Sequence, residues 1–401
     1  MANPESFAPF FATPYTRGDG NIEVFAAAFL QAVHQEFNNK RASTQSGVIF
    51  EITPRIQYEK NAWSPETGIA WKAAREGRLE LAALQLGFTY ARLGAEGNVQ
   101  GIFPKRTRLF FEGYFLEVTG HTELSVTEKE ITLHMRDMSC SAHWKKYGPQ
   151  WMLDTLSSDA TFLNWAPVLE TDKNRASYVL QPDYPVTSDG YKLPEDTDTL
   201  SYASKIATES KDNEIRQSHR YIDTFASSYR NWVNDVSSGF LLCHNPNPAS
   251  TMSCSSLQLP GLILVGNGTS ALQCGELLVH EASHQYLNIY GLLGGLTNNR
   301  DQELYYSPLK RSARTIDRVL YAAHATANML LYYAETLTNG ELSAKIQERM
   351  AFLLDTFDHT RTPLEKTTGL TASGHAVYET TAAQLDSQDF SWIRNRQPLL
   401  A

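Results

Sequence analysis

The chain has 401 residues, 42% of them hydrophobic, and a formal net charge of −9. A chain of that size buries a sizeable core, as one large or two medium domains. Its acidic balance, with a pI near 5.7, argues against nucleic acid as a main partner. No run of about 18 or more apolar residues occurs, so no membrane span is expected. The opening Met1-Ala2-Asn3-Pro4 lacks the basic and apolar stretches of a signal peptide. Cys140, Cys243, Cys254 and Cys274 show no paired CxxC spacing and read as thiols in a reducing compartment. The expected location is cytoplasmic.

In chain order, residues 20–42 read as an amphipathic helix, and residues 66–95, dominated by Ala, Leu, Glu and Arg, as a second one. From about 98 to 136 the pattern turns aromatic and β-branched, and Glu130-Ile-Thr-Leu-His134 alternates, so strands are expected. Residues 157–200, rich in Asp, Ser, Thr and Pro, read as an irregular connection. Helical signals resume over 201–236. Gly261 to Val265 is a short branched apolar run, a buried strand, and Asn267-Gly268 is a turn signal. Ser270, with Gln273 three residues on, makes a capping box for a helix that the Gly291 and Gly294-Gly295 segment ends. Further helices are expected over 315–338 and 341–358, with a short one at 374–386. The expected fold is α+β and mostly helical, with a smaller β-rich part in the N-terminal half. Residues 1–200 form a helical and β-rich region suited to substrate recognition, and 201–401 a catalytic region.

The 270–294 helix carries His280-Glu281-Ala282-Ser283-His284. Residues i and i+4 of a helix share a face, so two imidazoles lie one turn apart, a spacing that suits two sites on one metal ion. Strand, turn and metal-binding helix is an order found in zinc proteases too, so it locates a site without choosing the chemistry. Glu281 is the general base in a hydrolase; in an oxygenase it is a hydrogen-bonding or additional metal-side group. A third ligand is needed, and Glu303, His324 and Glu335 are the downstream candidates. A His shortly after the motif is excluded, because positions 285–295 hold none. His324 lies among Leu320, Ala323, Ala327 and Leu331, on or beside the apolar face of its helix.

Several stretches occur together in a specific order: Leu277-Leu-Val-His-Glu-Ala-Ser-His284, then Glu303-Leu-Tyr-Tyr-Ser-Pro308 and a basic segment ending at Arg314, then His324 in Leu-Tyr-Ala-Ala-His-Ala, and Leu370-Thr-Ala-Ser-Gly374. With these, residues 260–380 resemble the HExxH-containing peptide-modification proteins of bacterial natural-product gene clusters, understood as iron- and 2-oxoglutarate-dependent hydroxylases. The resemblance implies His280, His284 and His324 as ligands of Fe(II), leaving positions for 2-oxoglutarate and O₂. It implies Arg314 as the partner of the distal carboxylate of 2-oxoglutarate, a match that a planar guanidinium suits. The chain departs from the family pattern at Leu309-Lys310 and at Thr315, so Lys310 and Arg311 stand beside Arg314 as candidates. Tyr305, Tyr306 and Ser307 are candidate pocket residues. The implied reaction is hydroxylation of an amino-acid side chain, in a peptide or a free amino acid. The alternative is a zinc metallopeptidase with His280, His284 and Glu335 as ligands and Glu281 as base. Neither reading involves nucleic acid or a membrane.

Overall fold

The computed structural model describes residues 3–18, 22–44, 46–53, 62–112, 114–136, 140–147, 150–156, 169–172, 175–180, 212–243, 253–266, 270–298, 300–308, 311–339 and 344–394. The chain divides into two compact units, neither continuous in sequence. Residues 1–20, 214–235 and 269–401 form unit 1, and residues 21–213 and 236–268 form unit 2. The sequence suggests a single cut near residue 200, whereas the polypeptide passes between the units four times.

Unit 2 holds both large sheets. It begins with α2 (Ile22–Ser43), following a short α1 (Ala8–Ala12) that belongs to unit 1. After β1 (Ile49–Phe50) come α3 (Pro65–Arg75) and α4 (Leu79–Arg92). The single helix expected over 66–95 is therefore two. Pro65 sits in the first turn of α3, where its missing N–H costs nothing. Gly77, in the left-handed region at φ +74°, ends it, while Arg78 N–H reaches back to the Ala73 carbonyl at 2.9 Å. Helix propensity alone does not register that break, because the glycine is flanked by good helix formers. Strands β2 (Gly97–Phe111), β3 (Tyr114–Val126), β4 (Glu130–Met135), β5 (Cys140–Tyr147) and β6 (Gln150–Leu156) follow as an antiparallel meander, in the order β1-β2-β3-β4-β5-β6. Buried rings fasten α4 to this sheet. Phe88 stacks on Phe111 at 4.5 Å between centroids, and Trp144 meets Phe111 edge-on at 5.4 Å.

The second sheet runs β10-β11-β9-β8-β7. Its members are β7 (Leu169–Asp172), β8 (Arg175–Leu180), β9 (Gly239–Cys243), β10 (Ser253–Ser256) and β11 (Leu259–Gly266). β8, β9 and β11 are mutually parallel. β11 is buried at every position, which explains its unbroken apolar run. Two findings amend the sequence reading. The stretch 157–200 contains β7 and β8, with its remainder outside the described residues, and the β-rich part extends past the N-terminal half as far as Gly266. The Asn267-Gly268 turn lies outside the described residues.

Unit 1 is helical. It comprises α5 (Asp212–Phe225, its first two residues in unit 2), α6 (Ser228–Val236, its last in unit 2), α7 (Ala271–Gly294), α8 (Ile316–Asn339), α9 (Ala344–Lys366), α10 (Ala372–Asp386) and α11 (Ser391–Arg394). A hairpin of β12 (Tyr305–Ser307) and β13 (Ser312–Arg314) precedes α8. The Ser270 capping box is present at the start of α7, with both reciprocal bonds made. α7 and α8 run antiparallel. Tyr321 donates to Asn288 Oδ1 at 2.9 Å near one end of the pair, and Tyr333 donates to Glu276 at 2.5 Å near the other. The fold is thus α+β. Among the described residues no helix is long and apolar enough to cross a membrane.

Candidate functional site

His280 and His284 stand on successive turns of α7, half-buried, with ring centroids 4.4 Å apart and planes at 76°. The helical periodicity that the motif demands is therefore present. Glu281 points into the interior, 2% exposed, with Oε1 3.7 Å from His280 Nε2. His324 comes from α8 and is 2% exposed. Antiparallel packing of the two helices sets it opposite the C-terminal part of the motif. Its ring lies near the Ser283 carbonyl, and its positive form, if present, would oppose that of His284. The structure thus brings all three predicted histidines to one region of the α7/α8 interface. Among the described residues, however, no three His, Cys, Asp or Glu side chains gather into a group that could hold a metal ion as they stand.

His324 is held by a backbone hydrogen bond. Its Nε2 lies 2.8 Å from the carbonyl oxygen of Phe11. A carbonyl only accepts, so Nε2 carries the proton and Nδ1 carries the lone pair. That Nδ1 is buried and makes no hydrogen bond, and the same holds for Nδ1 of His284. Burial pushes the His284 pKa down to about 3, helped by His280, and against the pull of Glu281. Burial likewise lowers His324 to about 4, although the carbonyls of Phe11, Ala12 and Ser283 favour its protonated form. Both rings are neutral at pH 7, the form that binds a metal ion. The donor set of three neutral imidazoles fits a borderline divalent ion such as Fe(II).

Other predicted residues fall in different places. Arg314 ends β13, half-buried, with Nε donating to Ser312 Oγ at 3.2 Å and no carboxylate partner among the described residues. Arg311 is exposed in the hairpin turn with φ +49°. Lys310 lies outside the described residues. Tyr305 pairs with Arg314 across the hairpin, and its hydroxyl donates to Asp301 at 2.7 Å. Tyr306 is exposed, and Ser307 is buried. Glu303 accepts from the Tyr305 hydroxyl at 3.3 Å. Glu335 serves the fold instead. It accepts from Tyr15 Oη at 2.6 Å and from the Ser228 N–H, at the start of α6, at 3.1 Å. It also stands eleven residues beyond His324 on one helix, about 16 Å along the axis.

Four residues that sequence reasoning did not single out border the site. Tyr321 has its ring 5.7 Å from that of His284. It precedes His324 by three residues on the same helix, so helical spacing alone could have found it. Arg318, one turn earlier and largely exposed, is among the charges that lower the His284 pKa. Trp232, on α6, lies 6.2 Å from His324, stacks on Tyr286 at 3.7 Å, and donates Nε1–H to Ser283 Oγ at 3.3 Å. Phe11 reaches the site through its backbone carbonyl. No sequence signal marks Trp232 or Phe11. Compared with protein-family models and with curated proteins, the chain matches none.

Proposed function

We propose that the chain is an Fe(II)- and 2-oxoglutarate-dependent oxygenase that hydroxylates an amino-acid side chain of a peptide or free amino acid, with His280, His284 and His324 as its metal ligands. The observation that supports this reading is the pair of imidazoles on one face of α7, with ring centroids 4.4 Å apart, and a third buried histidine, His324, on the facing helix α8. Bound iron would supply the O₂ chemistry, in which 2-oxoglutarate leaves as succinate and CO₂ while one oxygen atom enters the substrate C–H bond. The chain's own residues orient, charge and shield. Burial keeps His284 and His324 unprotonated and able to donate. Glu281, buried beside His280, adds a negative charge that favours a divalent cation over an empty site. Arg314, without a carboxylate partner among the described residues, is available to a dicarboxylate.

The zinc peptidase reading with Glu335 as third ligand needs that carboxylate at the metal, and both of its oxygens are committed elsewhere. That is why the oxygenase reading is preferred. The test is anaerobic titration of the Fe(II)-loaded protein with 2-oxoglutarate, followed by visible absorption. A metal-to-ligand charge-transfer band is expected, lost in His324→Ala and weakened in Arg314→Gln. Absence of the band in wild type, together with peptide cleavage abolished by Glu281→Gln, would replace this reading with the peptidase one.

A further inference from the structure

Unit 2 contains a buried polar cluster that the site on α7 does not touch, and its charges do not balance. Glu66, in the first turn of α3, is fully buried. Its Oε1 accepts from the Glu112 N–H at 3.1 Å and lies 3.3 Å from Arg92 Nη2. Arg92, the last residue of α4, places Nε 2.7 Å from Glu112 Oε1. Two carboxyl groups therefore share one guanidinium, and among the described residues no other cation pairs with either of them. Glu66 Oε2 is buried and makes no hydrogen bond. A carboxylate stripped of water with one oxygen unmatched is a costly state. Glu112 opens the two-residue turn between β2 and β3, since Phe111 pairs with Tyr114. Its φ of +44° is what such a turn demands, and Asn, Asp or Gly ordinarily supplies it. Glutamate has no advantage in that backbone, so its side chain accounts for its place. That side chain and its N–H tie the turn to both helices.

We infer that Glu66 and Glu112 hold one proton between them, and that this proton makes the β2–β3 turn a pH-sensitive latch, closed while the proton is bound and loosened when it leaves. With the proton in place, the cluster is one ion pair and one neutral carboxyl group. Without it, two negative charges face one positive charge away from water. The charges that act on Glu112 are Arg92 from α4 and Glu66 from α3; from β5 the corner is faced by the uncharged Trp144, edge-on to Phe111. Burial pushes the Glu112 carboxyl up, Arg92 opposes that, and Glu66 adds to it. Opening exposes the carboxyls to water, where a glutamate titrates near about 4.3. Between that value and the raised one, the closed form holds more protons than the open form. Rising pH therefore favours opening by up to about tenfold per unit over that range, and the effect levels off above it.

The full chain, labelled with ¹³C at the glutamate carboxyl carbon, reads the proton directly. The signals of Glu66 and Glu112, assigned by their loss in Glu66→Gln and Glu112→Gln, are expected to show one proton leaving the pair well above about pH 4.3. Amide hydrogen exchange of the β2–β3 hairpin reads the latch. Dividing its rate by that of Glu66→Gln at the same pH cancels the intrinsic base catalysis. The ratio is expected to climb with pH by up to about tenfold per unit over the same range. Glu112→Asn, which suits the turn, is expected to keep the hairpin closed and to lose the pH response; it replaces Glu66→Gln as the reference should that variant fail to fold. Both carboxyls titrating in the ordinary range, or an exchange ratio flat with pH, overturns the inference. A pH response that persists in Glu112→Asn belongs to another group and overturns it as well.

Discussion

Replacing Gly275 with Ala should destabilise the protein, although alanine is the better helix former. Gly275 lies within α7, five residues before His280, and packs against Tyr332 of α8. A Cβ at this position would stand 3.1 Å from the Tyr332 ring carbon that bears the hydroxyl, and closer still to the oxygen. Intrinsic propensity favours the substitution by about 1 kcal/mol. Against it, Tyr332 must shift, and its bond to the Leu272 carbonyl, 3.1 Å long, is lost. Overpacking of this kind costs about 1–3 kcal/mol, and a buried phenol without its partner costs about another 1–3 kcal/mol. The net expectation is a loss of about 3 kcal/mol, read as a lower urea midpoint with unchanged slope. Tyr332→Phe removes the clashing oxygen, so the double variant should be more stable than the sum of the two single effects predicts. A Gly275→Ala protein as stable as wild type, or more so, would refute the claim that this glycine exists for close helix approach.

Arg349→Met leaves Glu276, 2% exposed, with Tyr333 as its hydrogen-bond donor and without its ion-pair partner. Removing one partner of a fully buried pair costs about 3–5 kcal/mol; Arg349 is about one-third exposed, so about 2 kcal/mol is expected, and a urea midpoint within error of wild type would contradict it. His219 on α5 has its pKa pushed down to about 4 by burial, so the fold holds it neutral while the unfolded chain protonates it near pH 6.5. Its contribution is present above that pH and is lost as the pH falls toward 4. Between pH 7 and pH 5 the loss is about 2 kcal/mol. His219→Gln should flatten this part of the stability profile, and an identical profile in the variant would show that another group is responsible.

Local chemistry made some elements readable. The capping box at Ser270, the apolar run of β11 and the two-imidazole face of α7 depend on neighbours within a few residues, and each appears where the residues call for it. The position of His324 on the interior side of its helix followed from its apolar spacing. Long-range features were not legible. Nothing near Phe11 marks it as a hydrogen-bond acceptor, because a backbone carbonyl carries no side-chain signature. Trp232 reads as an ordinary packing residue until α6 is set beside α7. The partners of Glu335 were equally illegible: it accepts from Tyr15 and from the start of α6, both from distant parts of the chain.

The bond between Phe11 and His324 spans 313 positions of the chain. At synthesis rates of about 5–20 residues per second, roughly 15–60 s separate the emergence of the two partners from the ribosome. For most of that interval Phe10 and Phe11 must wait without the helix that packs on them, while unit 2 has all its residues by position 268. The sheet-bearing unit can fold on the nascent chain; the helical unit can close only near the end of translation. A bulky fusion placed directly ahead of this N-terminal segment would compete with that late closure, and its cost would appear as a loosened helical unit, with the sheets intact.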